Sequence, residues 1–177
     1  DMIKLTAPRS LVVALLSLTS AGLLLSADTS APSLEKADQN FVSNAALSGK
    51  AEVQVSKLAM KKAEDSEVKA IAAMIVKDHQ AVNTQIAELA KTKGLPLTSA
   101  GNPDADEVVA ALEKDNNGAA FDRAYLTQVQ KSHKASIAAF TDAARDSKDS
   151  DVKTWAGLTV VALQAHLDRI NTAIAAL

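Results

Sequence analysis

The sequence predicts an all-α protein built as a four-helix bundle, with a long crossover carrying a short helix between long helices two and three. Three observations lead there. Alanine, leucine and valine dominate while Phe, Tyr and Trp make up only 3% of the chain, a composition that favours helices over sheets. The Gly and Pro residues gather between periodic segments rather than inside them. Four long segments each repeat apolar residues at alternating intervals of three and four, the spacing of one helix face. With 177 residues and 47% apolar content, the chain can form one core of ordinary size and needs no second domain.

Residues 1–27 read as a signal peptide: Lys4 and Arg9 give a positive start, residues 11–25 are apolar and uncharged, and Ser26 with Ala27 offers small residues for cleavage. Asp1 stands before Met2, where a natural reading frame would begin. Residues 28–39 are polar, contain a proline and read as a flexible linker, leaving 40–177 as the bundle domain. The expected location is periplasmic or otherwise exported, in the cell envelope.

The first helix is expected over residues 41–63, with Phe41, Ala45, Glu52, Val55 and Ala59 on one face. Asp65 or Ser66 can cap the second, which stops at Gly94 with Pro96 beyond. Its seam, Val68, Ala72, Ile75, His79, Val82, Ile86 and Leu89, places His79 at a core position. The stretch from Gly94 to Gly118, with a short helix at about 104–114, is long for neighbouring antiparallel helices and suits a connection that travels the length of a bundle. The third long helix, about 119–144, carries Phe121, Tyr125 or Leu126, Val129, His133, Ile137 and Phe140. After the polar turn RDSKDSD, with Ser150 and Asp151 as cap candidates, the fourth runs through Ala156, Val160, Leu163, Leu167 and Ile170, with His166 on the edge of that face.

A formal net charge of −2 with interspersed signs supplies no basic field, so nucleic acid is not an expected partner. The helical period excludes an outer-membrane barrel, and no membrane span is expected in the mature domain. Cysteine is absent, which removes disulfides, thiolate ligands and a cysteine nucleophile. No repeated exposed apolar stripe demands an oligomer, and the sequence leaves the oligomeric state open.

The chemistry-bearing residues are the three histidines and one glutamate. With a rise of about 1.5 Å per residue, Glu52 lies roughly 17 Å from the end of the first helix and His79 roughly 20 Å from the start of the second. His133 sits near the middle of its helix, and His166 is offset from that level by about one turn. One such residue per helix at similar depth makes Glu52, His79, His133 and His166 a candidate metal-ligand set. Asp78, Asp122 and Tyr125 are candidates for the surrounding hydrogen bonds. Nitrogen and oxygen donors without thiolates fit one divalent ion among Zn, Cu(II), Mn, Fe and Ni. The competing reading is a buried polar cluster that fixes packing in a structural or stress-related envelope protein. An enzyme ranks behind both, because no nucleophile or substrate pocket is legible; no catalytic residue is assigned.

The strings FVSNAALSGKAEVQVSKLA, AAMIVKDHQAVN, GAAFDRAYLTQVQKSH and LQAHLDRI resemble the exported bacterial family catalogued as domain of unknown function 4142, an outer-membrane or periplasmic group. The resemblance covers residues 40–176 and implies a ferritin-like four-helix fold. Carried over, its characteristic residues are Glu52, Asp78, His79, Phe121, Asp122, Tyr125, His133 and His166. Related sequences often place a proline before the last histidine, where this chain reads GLTVVALQAH, so a straighter helix is expected there. A ferritin-like fold invites a di-iron reading, but such sites take Glu-x-x-His pairs. Val76, Gln130 and Leu163 stand three residues before the histidines, which argues against di-iron oxidase activity.

Overall fold

A computed structural model describes residues 33–99, 102–115 and 118–177. The expected signal peptide and the first part of the linker lie outside them. Two short turns organise the chain. Helix α1 (Lys36–Lys62) leads through Ala63 and Glu64 into α2 (Ser66–Thr92), whose N-cap Asp65 accepts hydrogen bonds from the backbone N–H groups of Glu67 and Val68 at 2.8 and 3.0 Å. Helix α4 (Gly118–Asp146) leads into α5 (Ser150–Ala176), and there Asp149 accepts from Asp151 and Val152 at 3.0 and 3.1 Å. The cap is thus Asp149, one residue before the expected Ser150. Helix α2 ends at Gly94, which takes a left-handed φ of 65° that a side chain would strain. The short α3 (Pro103–Asp115) starts with proline, as first helical turns allow.

Each turn is fastened by a carboxylate from the opposite hairpin. Asp122, early in α4, accepts from the N–H groups of Glu64 and Asp65, the latter at 2.8 Å. Asp38, early in α1, accepts from those of Lys148 and Asp149 at 3.1 and 3.0 Å. These contacts fix the directions: α1 and α5 run one way, α2 and α4 the other. The chain between α2 and α4 must therefore travel the length of the bundle, and α3 rides on that crossover against α1 and α4. This is a ferritin-like four-helix bundle.

Asp38 also moves a boundary. Residues 36–39, expected in the linker, belong to α1, because Asp38 is 3% exposed against the α4–α5 turn and Leu34 is 5% exposed in the core. Burial of those two side chains orders a segment that composition alone reads as polar tether.

The two hairpins are related by an internal two-fold. One interval separates Asp38 from Asp122, Phe41 from Tyr125, Asp65 from Asp149, Val68 from Val152 and Ala72 from Ala156. The strings DSEVKAIA and DSDVKTWA make the same repeat visible in sequence.

Apolar residues fill both ends of the bundle. Near the α1–α2 turn, Val55, Ile71, Ile75, Phe121, Tyr125 and Ile170 pack together; at the other end Val42, Ile86 and Val152 form one cluster and Phe140, Ala156 and Leu163 another. Phe41 and Phe140 meet edge to face at 5.0 Å. Between the two ends lies a buried layer containing Glu52, His79, His133 and His166. Among the described residues, no helix is long and apolar enough to cross a membrane.

Candidate metal centre

The histidine layer follows from helix register. His79 continues the α2 seam one turn after Ile75, His133 continues the α4 seam one turn after Val129, and His166 lies one turn before Ile170 in α5. All three are buried. Their ring centroids are 5.5 to 5.7 Å apart, and one nitrogen from each falls within 4.8 Å of the others.

Hydrogen bonds on the outer side of the cluster set the tautomers. The Val129 carbonyl can only accept, so the His133 nitrogen 2.9 Å from it, Nδ1, carries the proton. His133 Nε2 is then a lone-pair donor turned inward. His166 Nε2 lies 3.1 Å from Asp78 Oδ2 and donates to that carboxylate, which turns Nδ1 inward. His133 Nε2 and His166 Nδ1 face each other at 3.4 Å. His79 Nε2 is buried without a hydrogen-bond partner. A buried ring nitrogen without a partner is unfavourable in a dry core.

Electrostatics keep the rings in the ligating form. Burial pushes the pKa of His79 down to about 3, helped by the neighbouring imidazoles and opposed by Asp78. Burial likewise pushes His133 down to about 4, with the Val129 carbonyl opposing and His166 adding a smaller depression. Both are neutral at pH 7, as metal binding requires.

Glu52 stands apart from the three. Its Oε1 is 3.6 Å from His133 Nδ1, on the side of the ring away from His166, and it is not a member of the converging group. The carboxyl is 5% exposed and neither oxygen has a hydrogen-bond partner. The nearby Ser132 hydroxyl donates to the Val129 carbonyl at 3.2 Å instead. Burial pushes the Glu52 pKa up to about 7, opposed only weakly by Ser132. Glu52 also borders a cavity of about 110 Å³ that involves α1, α3 and α4.

Of the residues expected around the ligands, Asp78 is in contact with the cluster and two are elsewhere. Asp122 fastens the α1–α2 turn, some 16 Å along α4 from His133 by helix rise. Tyr125 donates its hydroxyl to Ser56 Oγ at 2.9 Å, and burial raises its pKa. Sequence reasoning passed over the Val129 carbonyl, Gly49 and Asn83. Asn83 lies one turn beyond His79, and its buried Oδ1 has no partner; a Cβ built on Gly49 would fall 2.1 Å from that oxygen.

Three buried imidazoles, two of them held from behind by a carbonyl and a carboxylate, form a donor set suited to a divalent ion of the later first row. Known structures share the fold. A DUF305 fragment from Deinococcus radiodurans is similar with a TM-score of 0.73 at 14% identity, covering 82% of this chain and 100% of that one. A DUF305 protein from Streptomyces coelicolor gives 0.65 at 14% identity, covering 78% and 92%. A conserved hypothetical protein from Mycobacterium tuberculosis gives 0.62 at 15% identity, covering 80% and 92%. No curated protein matches the chain. The family model described as Domain of unknown function (DUF4142) matches residues 24–173, most of the sequence and every residue of the histidine layer, and the chain belongs to that family.

Proposed function

We propose that this is an exported four-helix protein that holds one divalent metal ion through His79, His133 and His166. In this reading Asp78 orients His166, and Glu52 places a carboxylate behind His133, where it stabilises the charge that a bound cation draws onto the ring. The observation that carries the proposal is the convergence within 4.8 Å of one buried ring nitrogen from each of α2, α4 and α5, beside a His79 Nε2 that no protein group partners. Export rests on the positive start and apolar run of residues 1–27. A role in buffering or sensing an ion needs no more machinery than this.

The test is elemental analysis by inductively coupled plasma mass spectrometry after incubation with Zn(II), Cu(II), Mn(II), Fe(II) or Ni(II), followed by desalting. The expected result is about one equivalent of an ion in the wild type and none in a His79→Ala/His133→Ala double variant. If every ion is absent from a wild type that remains folded, the reading fails and the histidine layer is a packing device.

A further inference from the structure

The internal two-fold has a second use. It carries His133 onto Gly49, His79 onto Leu163 and His166 onto Val82, because the interval that relates the two hairpins separates each of these pairs. One half of the layer therefore holds three imidazoles, and the related half holds a glycine and two aliphatic side chains. Those three replacements, Gly49, Val82 and Leu163, line a cavity of about 40 Å³ whose wall also includes His79 and His166. The cavity stands where a second histidine triad would stand.

We infer that this cavity is the exogenous ligand site of the metal centre: a fourth coordination position filled by one small monodentate ligand, water, hydroxide or a small anion, that enters between α1 and α4. The inference rests on the metal reading given above. Three observations support it. No fourth protein donor joins the converging group among the described residues, and Glu52 lies behind His133 rather than facing the cavity. The volume accommodates a water or a triatomic anion but not a metabolite. Access follows from small side chains: Ala45, Ser48 and Ser136 line both this cavity and an outer groove of about 440 Å³ between α1 and α4. Three protein ligands with one open position is the arrangement of reactive rather than closed structural metal sites. The mixed wall, hydroxyls of Ser48, Ser136 and Thr159 and the Asp78 carboxylate against Val82, Leu163 and Phe140, suits a ligand of low charge.

The experiment loads the full chain with Co(II) and titrates sodium azide while recording the d–d absorption. Metal content is measured on the same samples. The expected result is about one Co(II) per chain and a saturable azide-dependent change in the visible bands. Ser136→Leu and, separately, Val82→Ile should keep the Co(II) equivalent and weaken azide at least about tenfold by filling the cavity. Absence of Co(II) from the folded chain overturns this inference, and if Zn(II), Cu(II), Mn(II), Fe(II) and Ni(II) are absent too, the metal reading falls with it. Co(II) bound with a spectrum indifferent to azide overturns this inference alone. Azide affinity unchanged in both folded, Co(II)-loaded variants also overturns it, because the ligand then lies outside the cavity.

Discussion

Asp38 and Asp122 perform the same operation at opposite ends of the bundle, each carboxylate accepting two consecutive backbone N–H groups from the turn of the other hairpin. Both side chains are buried, so removing either strands two amide donors in a region that water enters poorly. Asp38→Ala and Asp122→Ala should each destabilise the fold by about 1–3 kcal/mol. The two sites are a bundle length apart, so the double variant should sum them within about 0.5 kcal/mol in urea denaturation. A strongly sub-additive double variant would show that the two turns are not independent.

Glu52 predicts a pH effect of definite sign. Its folded pKa is raised to about 7 from an ordinary value of 4.5, so between those values the unfolded chain releases a proton that the folded protein keeps. Its contribution to stability is present below pH 4.5 and lost as pH rises to about 7, an effect of up to about 3 kcal/mol. Glu52→Gln should therefore stabilise the metal-free protein above pH 7 and leave it little changed at pH 4. Equal wild-type and variant profiles over this range would contradict the burial of the carboxyl.

His79 and His133 act in the other direction. Their folded pKa values are depressed to about 3 and about 4 from 6.5, so the unfolded state binds more protons as pH falls. The stability they contribute is present above pH 6.5 and lost progressively toward pH 4 and below. Because the one Glu52 opposes the two histidines between pH 4.5 and 6.5, the wild-type profile should rise with pH there at about half the slope of the Glu52→Gln profile. Chemical denaturation of the metal-free protein at half-unit pH steps checks both slopes.

Ion binding should appear as stability. A saturating divalent ion at 100 times its Kd adds about 2.7 kcal/mol to the folded state, so Tm should fall when EDTA removes it. His133→Ala should have the lower Tm already and show no response to EDTA. A chelator-sensitive Tm in that variant would place the ion elsewhere.

Gly49 and Asn83 should be coupled. A Cβ at residue 49 meets Asn83 Oδ1 at 2.1 Å, so Gly49→Ala in the wild type forces the amide out of its place. In an Asn83→Ala background the same change should stabilise, by up to about 1 kcal/mol, through helix propensity alone. A double-mutant cycle in urea measures the difference, and additive effects would refute the contact.

The helices were legible because unbroken seams such as Val68, Ala72, Ile75, His79, Val82 repeat at one period, and the crossover because the chain from Gly94 to Gly118 is too long for a turn. Depth along a helix follows from counting residues, which is why the histidines could be brought level. Rotation about the helix and the choice of neighbour do not. Glu52 has the right depth, yet α1 packs beside α4, so its carboxyl reaches the back of His133. Asp122 was a candidate for the hydrogen bonds around the ligands; its partners, Glu64 and Asp65, lie in another hairpin and leave no local trace. The repeat between the hairpins shows in DSEVKAIA and DSDVKTWA but not in the ligand residues, because the counterparts of the histidines are Gly49, Val82 and Leu163.

The length of the crossover has a topological consequence. Each hairpin is clasped by an aspartate of the other, and the strand of chain joining them contributes neither clasp. A hairpin from one molecule can therefore be handed to a second and receive its counterpart in return, with every helix contact reproduced. In such an exchanged pair each histidine centre would be shared property, drawing His79 from one chain and His133 with His166 from the other.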